Sequence, residues 1–245
     1  MEAGGDGARL LEGGNREDVL RVLIDGYAQP PVALICGQIA RSLARFPIVV
    51  DTFLRSDLLL VLFEHTACPS FDVALDAFLT LHTFLFQHKA VAAAILLDRF
   101  AEFFGRFHAL LGNESYVTKR QALKLLSETL LDRAFQKVMI AYVNNDTFLK
   151  LHMNLLRDNS KAIQFEAFHV FKIFAANPNK APKVQQILFH NKDKLIKFLD
   201  NFLAERADDD QFAADKAAVV SRLAALEAQK SDSQAGAGPR PVVAS

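Results

Sequence analysis

The sequence predicts an all-α fold, a right-handed solenoid of armadillo/HEAT-like helical repeats, and two observations carry that reading. Apolar residues recur at helical spacing along most of the 245-residue chain, and no stretch alternates with the two-residue period of a half-buried strand. A small residue set inside an apolar helical pattern also returns at a near-constant interval. Asp76-Ala77-Phe78, Gln121-Ala122-Leu123 and Glu166-Ala167-Phe168 follow one another at 45 residues, and Val32-Ala33-Leu34 stands 41 residues before Val73-Ala74-Leu75. A small side chain there lets neighbouring helices approach closely. A period of 41–45 residues suits repeats of two or three helices stacked one on the next.

Taken in order, Met1 to Gly14 is rich in glycine and poor in large apolar groups, so residues 1–14 are expected to form a disordered tail. Asn15 caps a first helix, about Glu17–Gly26, that buries Val19, Leu20, Val22, Leu23 and Ile24. Pro30-Pro31 opens a second helix to about Arg45, because proline is tolerated in a first turn. Pro47 and Ser56 each start a short helix, and Ser70 starts the helix that carries Ala77. Helices over about Ala90–Leu97 and Asp98–Leu111 follow, the second with Phe100, Phe103, Phe104 and Phe107 along one side.

Gly112-Asn113 breaks the chain before a long helix from Tyr116, in which Val117, Leu123, Leu126, Leu130 and Leu131 share a side. A shorter pattern runs from Asp146 to Asp158, and Asn159-Ser160 precedes a helix with Phe165, Phe168, Phe171 and Phe174 three residues apart. Two helices are expected near Lys183–Phe189 and Lys192–Glu205. Asp208-Asp209-Asp210 then caps a last one, about Asp209–Gln229, with Phe212, Val219, Val220, Leu223 and Leu226 inward. The repeat domain therefore spans 15–229, and residues 230–245, rich in Gly, Ser, Ala and Pro, form a second disordered tail.

Bulk charge points to no partner class, since Lys plus Arg and Asp plus Glu each number 28. The distribution is uneven: residues 111–200 hold 14 basic and 8 acidic side chains, whereas residues 1–110 hold 9 and 13. Cys36 and Cys68 lie in or beside apolar helical patterns and read as buried reduced thiols, too few for a disulfide framework. No stretch has the length of a membrane span or the form of a signal peptide, and a cytoplasmic protein is the expectation.

A search for chemistry finds no catalytic constellation. Phosphate-cradling glycine loops, paired zinc-ligand motifs and nucleophile elbows are all missing from the sequence, and the seven histidines show no ligand spacing with the cysteines. The Asp208-Asp209-Asp210 run lacks the alternation and the glycine of a calcium loop. No enzyme, metal or cofactor is expected, and a helical stack without such groups most often presents a surface to another protein. The alternative is a helical-repeat nucleic-acid-binding protein, for which the basic excess would have to recur in every repeat.

The run Tyr116-Val-Thr-Lys-Arg-Gln-Ala-Leu-Lys-Leu-Leu, with Met153-Asn-Leu-Leu-Arg-Asp, Ile163-Gln-Phe-Glu-Ala-Phe-His-Val-Phe-Lys and Ala176-Asn-Pro-Asn-Lys, closely resembles the calcium-binding protein 39 (Mo25-like) scaffold family. The likeness runs from about Val19 to Leu226. It implies a non-catalytic scaffold that binds and allosterically activates sterile-20-type protein kinases, or a STRAD-like pseudokinase in a ternary kinase complex. It also implies a pocket for a Trp-Glu-Phe-type tail of the partner, formed here by Arg120, Lys150, Met153, His190 and Lys194. His190 stands where the family has lysine. A concave kinase-contact face would use Tyr27, Phe71, Arg133 and Phe135, with Gln136 at the place of the family phenylalanine. Family members carry further helices before the position of Arg16, so the N-terminal helices are expected to be missing here. A scaffold that docks its partner without activating it is a variant of the same reading.

Overall fold

The computed structural model describes residues 15–206 and 208–227, and the expected tails at 1–14 and 230–245 lie outside them. Helix α1 (Asn15–Asp25) leads into a 3-10 turn, Gly26–Ala28. Three sets of three helices follow: α2 (Ala33–Leu43), α3 (Pro47–Arg55) and α4 (Leu58–Thr66); α5 (Phe71–Phe86), α6 (Lys89–Asp98) and α7 (Phe100–Leu111); α8 (Tyr116–Leu131), α9 (Gln136–Val143) and α10 (Asp146–Leu155). A 3-10 turn, Arg133–Phe135, links α8 to α9. Helices α11 (Lys161–Ala176), α12 (Pro182–Asp200) and α13 (Asp210–Ala224) complete the order, with a third 3-10 turn at Ala204–Arg206. No strand occurs among the described residues. The chain falls into two compact units, Met1–Phe174 and Ala175–Ser245.

The first unit is a stack of three-helix repeats. Each helix packs on its counterpart three positions later: α2 on α5, α3 on α6, α4 on α7, α5 on α8 and α6 on α9. The first helices of successive repeats start at Phe71, Tyr116 and Lys161, the 45-residue interval of the sequence. Ala77, Ala122 and Ala167, at the same register in each, are fully buried. Local chemistry fixes the starts. Pro47 and Pro182 occupy first turns, and Ser115, Asn145 and Asp209 accept backbone N–H bonds from their own first turns. In the second unit α12 packs against α13.

Three helix ends in the first unit are closed by side chains of later repeats. The last carbonyls of a helix have no partner within it. Arg99, entering α7, donates to the carbonyls of Leu54 and Ser56 at the end of α3. His88, before α6, donates through Nε2 to the Arg45 carbonyl just past α2 at 2.9 Å, and Thr118 in α8 reaches the Thr66 carbonyl of α4 at 3.5 Å. Lys89 pairs with Asp132 at 2.6 Å and Lys119 with Asp158 at 3.0 Å across similar separations.

Two buried polar clusters lie inside this packing. Around Gly37, the Tyr27 hydroxyl donates to Asp76 Oδ2 at 2.6 Å and lies 2.7 Å from Thr80 Oγ1. Arg41 donates to Asp76 Oδ2 at 2.8 Å and to Thr80 Oγ1 at 2.6 Å. A proton count closes the cluster: Arg41 and Tyr27 donate to Asp76, and Thr80 donates to Tyr27. Burial and the Asp76 carboxylate push the Tyr27 phenol up. A Cβ on Gly37 would overlap Asp76 Oδ2 and the Tyr27 hydroxyl, so α2 needs glycine where it meets α5.

The second cluster is His108–Tyr142–His152, with 2.9 Å from His108 Nε2 to the Tyr142 hydroxyl and 2.8 Å onward to His152 Nε2. It ties α7 to α9 and α10. Burial lowers His108 to about 4. Burial, with a smaller contribution from His108, lowers His152 to about 3. His152 is fully enclosed, and its Nδ1 has no hydrogen-bond partner.

Several expectations are corrected by the structure. The segments Lys183–Phe189 and Lys192–Glu205 are one helix through Asp200, because Asn191 turns its side chain back onto the Ile187 carbonyl and no glycine or proline intervenes. The last helix ends at Ala224, short of Gln229. Pro30 and Pro31 belong to a turn, and α2 begins at Ala33. Val22 is 71% exposed, on the side of α1 away from Leu20, Leu23 and Ile24. Leu131, closing α8, is 55% exposed. Cys36 and Cys68 are free thiols, each half-buried.

Gly37→Ala is expected to destabilise the protein by about 1–3 kcal/mol through overpacking, measured as a lower urea midpoint with an unchanged slope. Both buried histidines titrate below their ordinary value of 6.5, so below that pH the unfolded chain binds more protons than the folded one. The contribution of these histidines to stability is therefore full above about pH 6.5 and falls as pH drops toward about 4. Urea midpoints measured from pH 8 to 4 should fall in that window, and His108→Gln/His152→Gln should flatten the fall.

Candidate protein-docking surface

Arg120 lies one turn into α8, is exposed, and faces Glu166 of α11 at 3.6 Å. Its neighbour Lys119 bonds Asp158 just after α10, so the start of α8 is tied on two sides. On α10, Lys150 is exposed and pairs with Asp146 one turn earlier at 2.8 Å, while Met153, one turn further on, is half-buried. Cation and thioether therefore share a face of α10 whose opposite side buries Leu149, His152 and Leu155. In the second unit His190 and Lys194 stand one turn apart on the exposed side of α12. His190 Nδ1 donates back to the Gln186 carbonyl at 2.7 Å. On α10 itself, Met153 beside Lys150, an adaptable apolar wall next to a cation, suits an aromatic residue next to a carboxylate.

The second set of candidates divides. Phe71, the first residue of α5, is 58% exposed, and Arg133 is exposed in the 3-10 turn. Tyr27 is 2% exposed, inside the Gly37 cluster, and Phe135 is fully buried with its ring 5.6 Å from that of Phe86. The turn that Asp132 caps by accepting from the Ala134 N–H rolls Phe135 into the core between α8 and α9. Neither Tyr27 nor Phe135 presents its side chain to solvent.

The sequence reading missed a cleft of about 280 Å³ between α5 and α8, lined by Leu75, Phe78, Leu79, Gln121, Leu125 and, at the rim, His82, Lys124 and Glu128. His82 Nε2 lies 3.3 Å from Glu128 Oε2, and its ring stacks on Phe86. Tyr116 begins α8 as Phe71 begins α5, and it too is exposed, at 45%. The 45-residue repeat placed Leu79 beside Lys124 in register, and that was the available signal.

Lys150 sits in a largely exposed ion pair, so replacing it by alanine should change stability by less than about 1 kcal/mol, whereas Arg120 faces a Glu166 side chain that is only 12% exposed and Arg120→Ala should cost more. Phe135→Ala should cost about 3–5 kcal/mol through the cavity it leaves. Urea unfolding of the three variants tests these expectations.

The sequence model of the family described as Mo25-like matches residues 9–227. The chain is 46% identical over 211 residues to the degreening-related gene dee76 protein of Auxenochlorella protothecoides, covering 86% of this chain and 65% of that one. It is 44% identical over 208 residues to the Mo25-like protein of Schizosaccharomyces pombe, covering 85% and 63%. Against the human calcium-binding protein 39-like protein the identity is 42% over 209 residues, covering 85% and 62%. The chain thus spans a little under two thirds of the length of these relatives. Among the described residues no helix is long and apolar enough to cross a membrane. With its all-α stack of three-helix repeats, the chain belongs to the Mo25-like family.

Proposed function

We propose that this protein is a non-catalytic cytoplasmic scaffold that binds sterile-20-type protein kinases, or a STRAD-like pseudokinase in a ternary kinase complex, and activates them allosterically. Family membership along the described chain carries the reading. Three helices per repeat favour the armadillo/HEAT-like class. A tail ending in Trp-Glu-Phe would lay its aromatic side chain against Met153 and pair its carboxylates with Arg120 and Lys150; His190 and Lys194, a turn apart on α12, are proposed in their own right as groups for acidic side chains of the partner. Phe71 and Arg133 would contact the kinase fold, and Tyr27 would hold the stack beneath that contact. Activation follows if the scaffold binds the closed kinase conformation more tightly than the open one, since only differential affinity shifts such an equilibrium.

The test has two readouts. A fluorescein-labelled peptide ending in Trp-Glu-Phe should bind with micromolar or tighter affinity, and Met153→Ala should weaken it at least about tenfold. Added scaffold should also raise the phosphotransfer rate of a sterile-20-type kinase. Peptide binding without a rate increase leaves a docking scaffold that does not activate, and absence of both refutes the proposal.

A further inference from the structure

We infer that two copies of this chain pair through α6, laid antiparallel across a two-fold axis, with Leu97 of each copy over Ala90 of the other. This pairing is independent of the function proposed above, because none of the side chains it uses is assigned there to the tail or the kinase fold. Helix α6 is apolar on every side. Ala92, Ile95 and Leu96 are buried in the stack, whereas Ala90, Ala94 and Leu97 are exposed, Leu97 by 39%. A helix apolar all round is normally covered all round, and one side of α6 is open among the described residues. The helices α3 and α9, which both pack on α6, widen that side with Ile48 at 47% exposed and Ile140 at 46%.

Charge selects a second copy as the occupant. From Ala90 to Leu97 the helix carries no charged residue, as a two-fold contact requires, since a charge near the axis would meet its own like. The charges stand at the two ends and are opposite in sign, Lys89 first and Asp98 last. Each is at the unfavourable end of its own helix, because the amide dipoles leave the N-terminus positive and the C-terminus negative. An antiparallel copy sets its Asp98 beside Lys89 at the N-terminus and its Lys89 beside Asp98 at the C-terminus. The same register brings Leu97 over Ala90 and Ala94 over Ala93, so the large side chain meets a small one. Within the chain Asp132 answers Lys89 at 2.6 Å and Arg55 answers Asp98 at 3.7 Å. The side chains of Lys89 and Asp98 nevertheless stay 43% and 65% exposed, so each can take a further opposite charge. With its polar margins the pair would cover roughly 1,000 Å² in total, the low end for a specific contact, which makes it a dimer of micromolar strength.

Sedimentation equilibrium of the whole chain, at concentrations up to about 200 µM, tests the pairing. The wild type should dimerise with a dissociation constant of about 10–100 µM, and Leu97→Glu should weaken the dimer at least about tenfold. Ala94→Glu, on the same exposed side, gives a second reading, and circular dichroism melts check that each variant is folded. Orientation is read by charge reversal. Lys89→Glu alone and Asp98→Lys alone should each dimerise more weakly than the wild type. An equimolar mixture of these two variants should pair again, because each reversed charge then meets its opposite on the other chain. A wild type that stays monomeric leaves this side of α6 to a different protein and overturns the inference. A dimer indifferent to Leu97→Glu and Ala94→Glu overturns it as well, and so does a mixture that pairs no better than its components. The proposed kinase scaffold stands or falls separately, on peptide binding and phosphotransfer.

Discussion

The constraint on which the first unit depends is the close approach of like helices at a fixed register. Ala77, Ala122 and Ala167 are buried at one position of successive first helices, and Gly37 serves the same purpose in α2. A methyl group or a hydrogen there brings the backbones near enough for the flanking side chains to interlock. Every other contact inherits that register: the phenylalanine-rich side of α7, the polar bonds between repeats, and the cleft beside Leu79. Spacing comes first and surface chemistry follows from it.

Buried polar clusters then discriminate among the ways such helices could slide. A one-turn slip of α2 along α5 would leave Asp76 and Arg41 enclosed without each other, which costs far more than the pair contributes when formed. The Tyr27 cluster consequently selects a register more than it stabilises one. His108, Tyr142 and His152 do the same between α7, α9 and α10, although His152 keeps an unanswered nitrogen. Exposed pairs such as Lys150–Asp146 lack this leverage, because water replaces either partner cheaply.

What the sequence disclosed followed from how local each signal was. The alanines were legible because their spacing is periodic and needs no knowledge of neighbours. The two helices expected over 183–205 are the single helix α12, in which the Asn191 side chain bonds back onto the Ile187 carbonyl, a contact that apolar spacing does not reveal. Tyr27 and Phe135 carry the residue types of a contact face, and burial is decided by helices far away in sequence. Phe135 turned inward because of the turn that Asp132 caps. The Leu79 cleft escaped notice because its two walls belong to repeats separated by 45 residues, and neither wall alone is concave.

The closing of helix ends by later repeats gives the stack a direction in time as well as in space. Arg99, His88 and Thr118 each complete carbonyls that were synthesised tens of residues earlier. On the ribosome the first of these repeats therefore emerges with three of its helix ends open, and it is finished only when the chain has grown as far as Thr118.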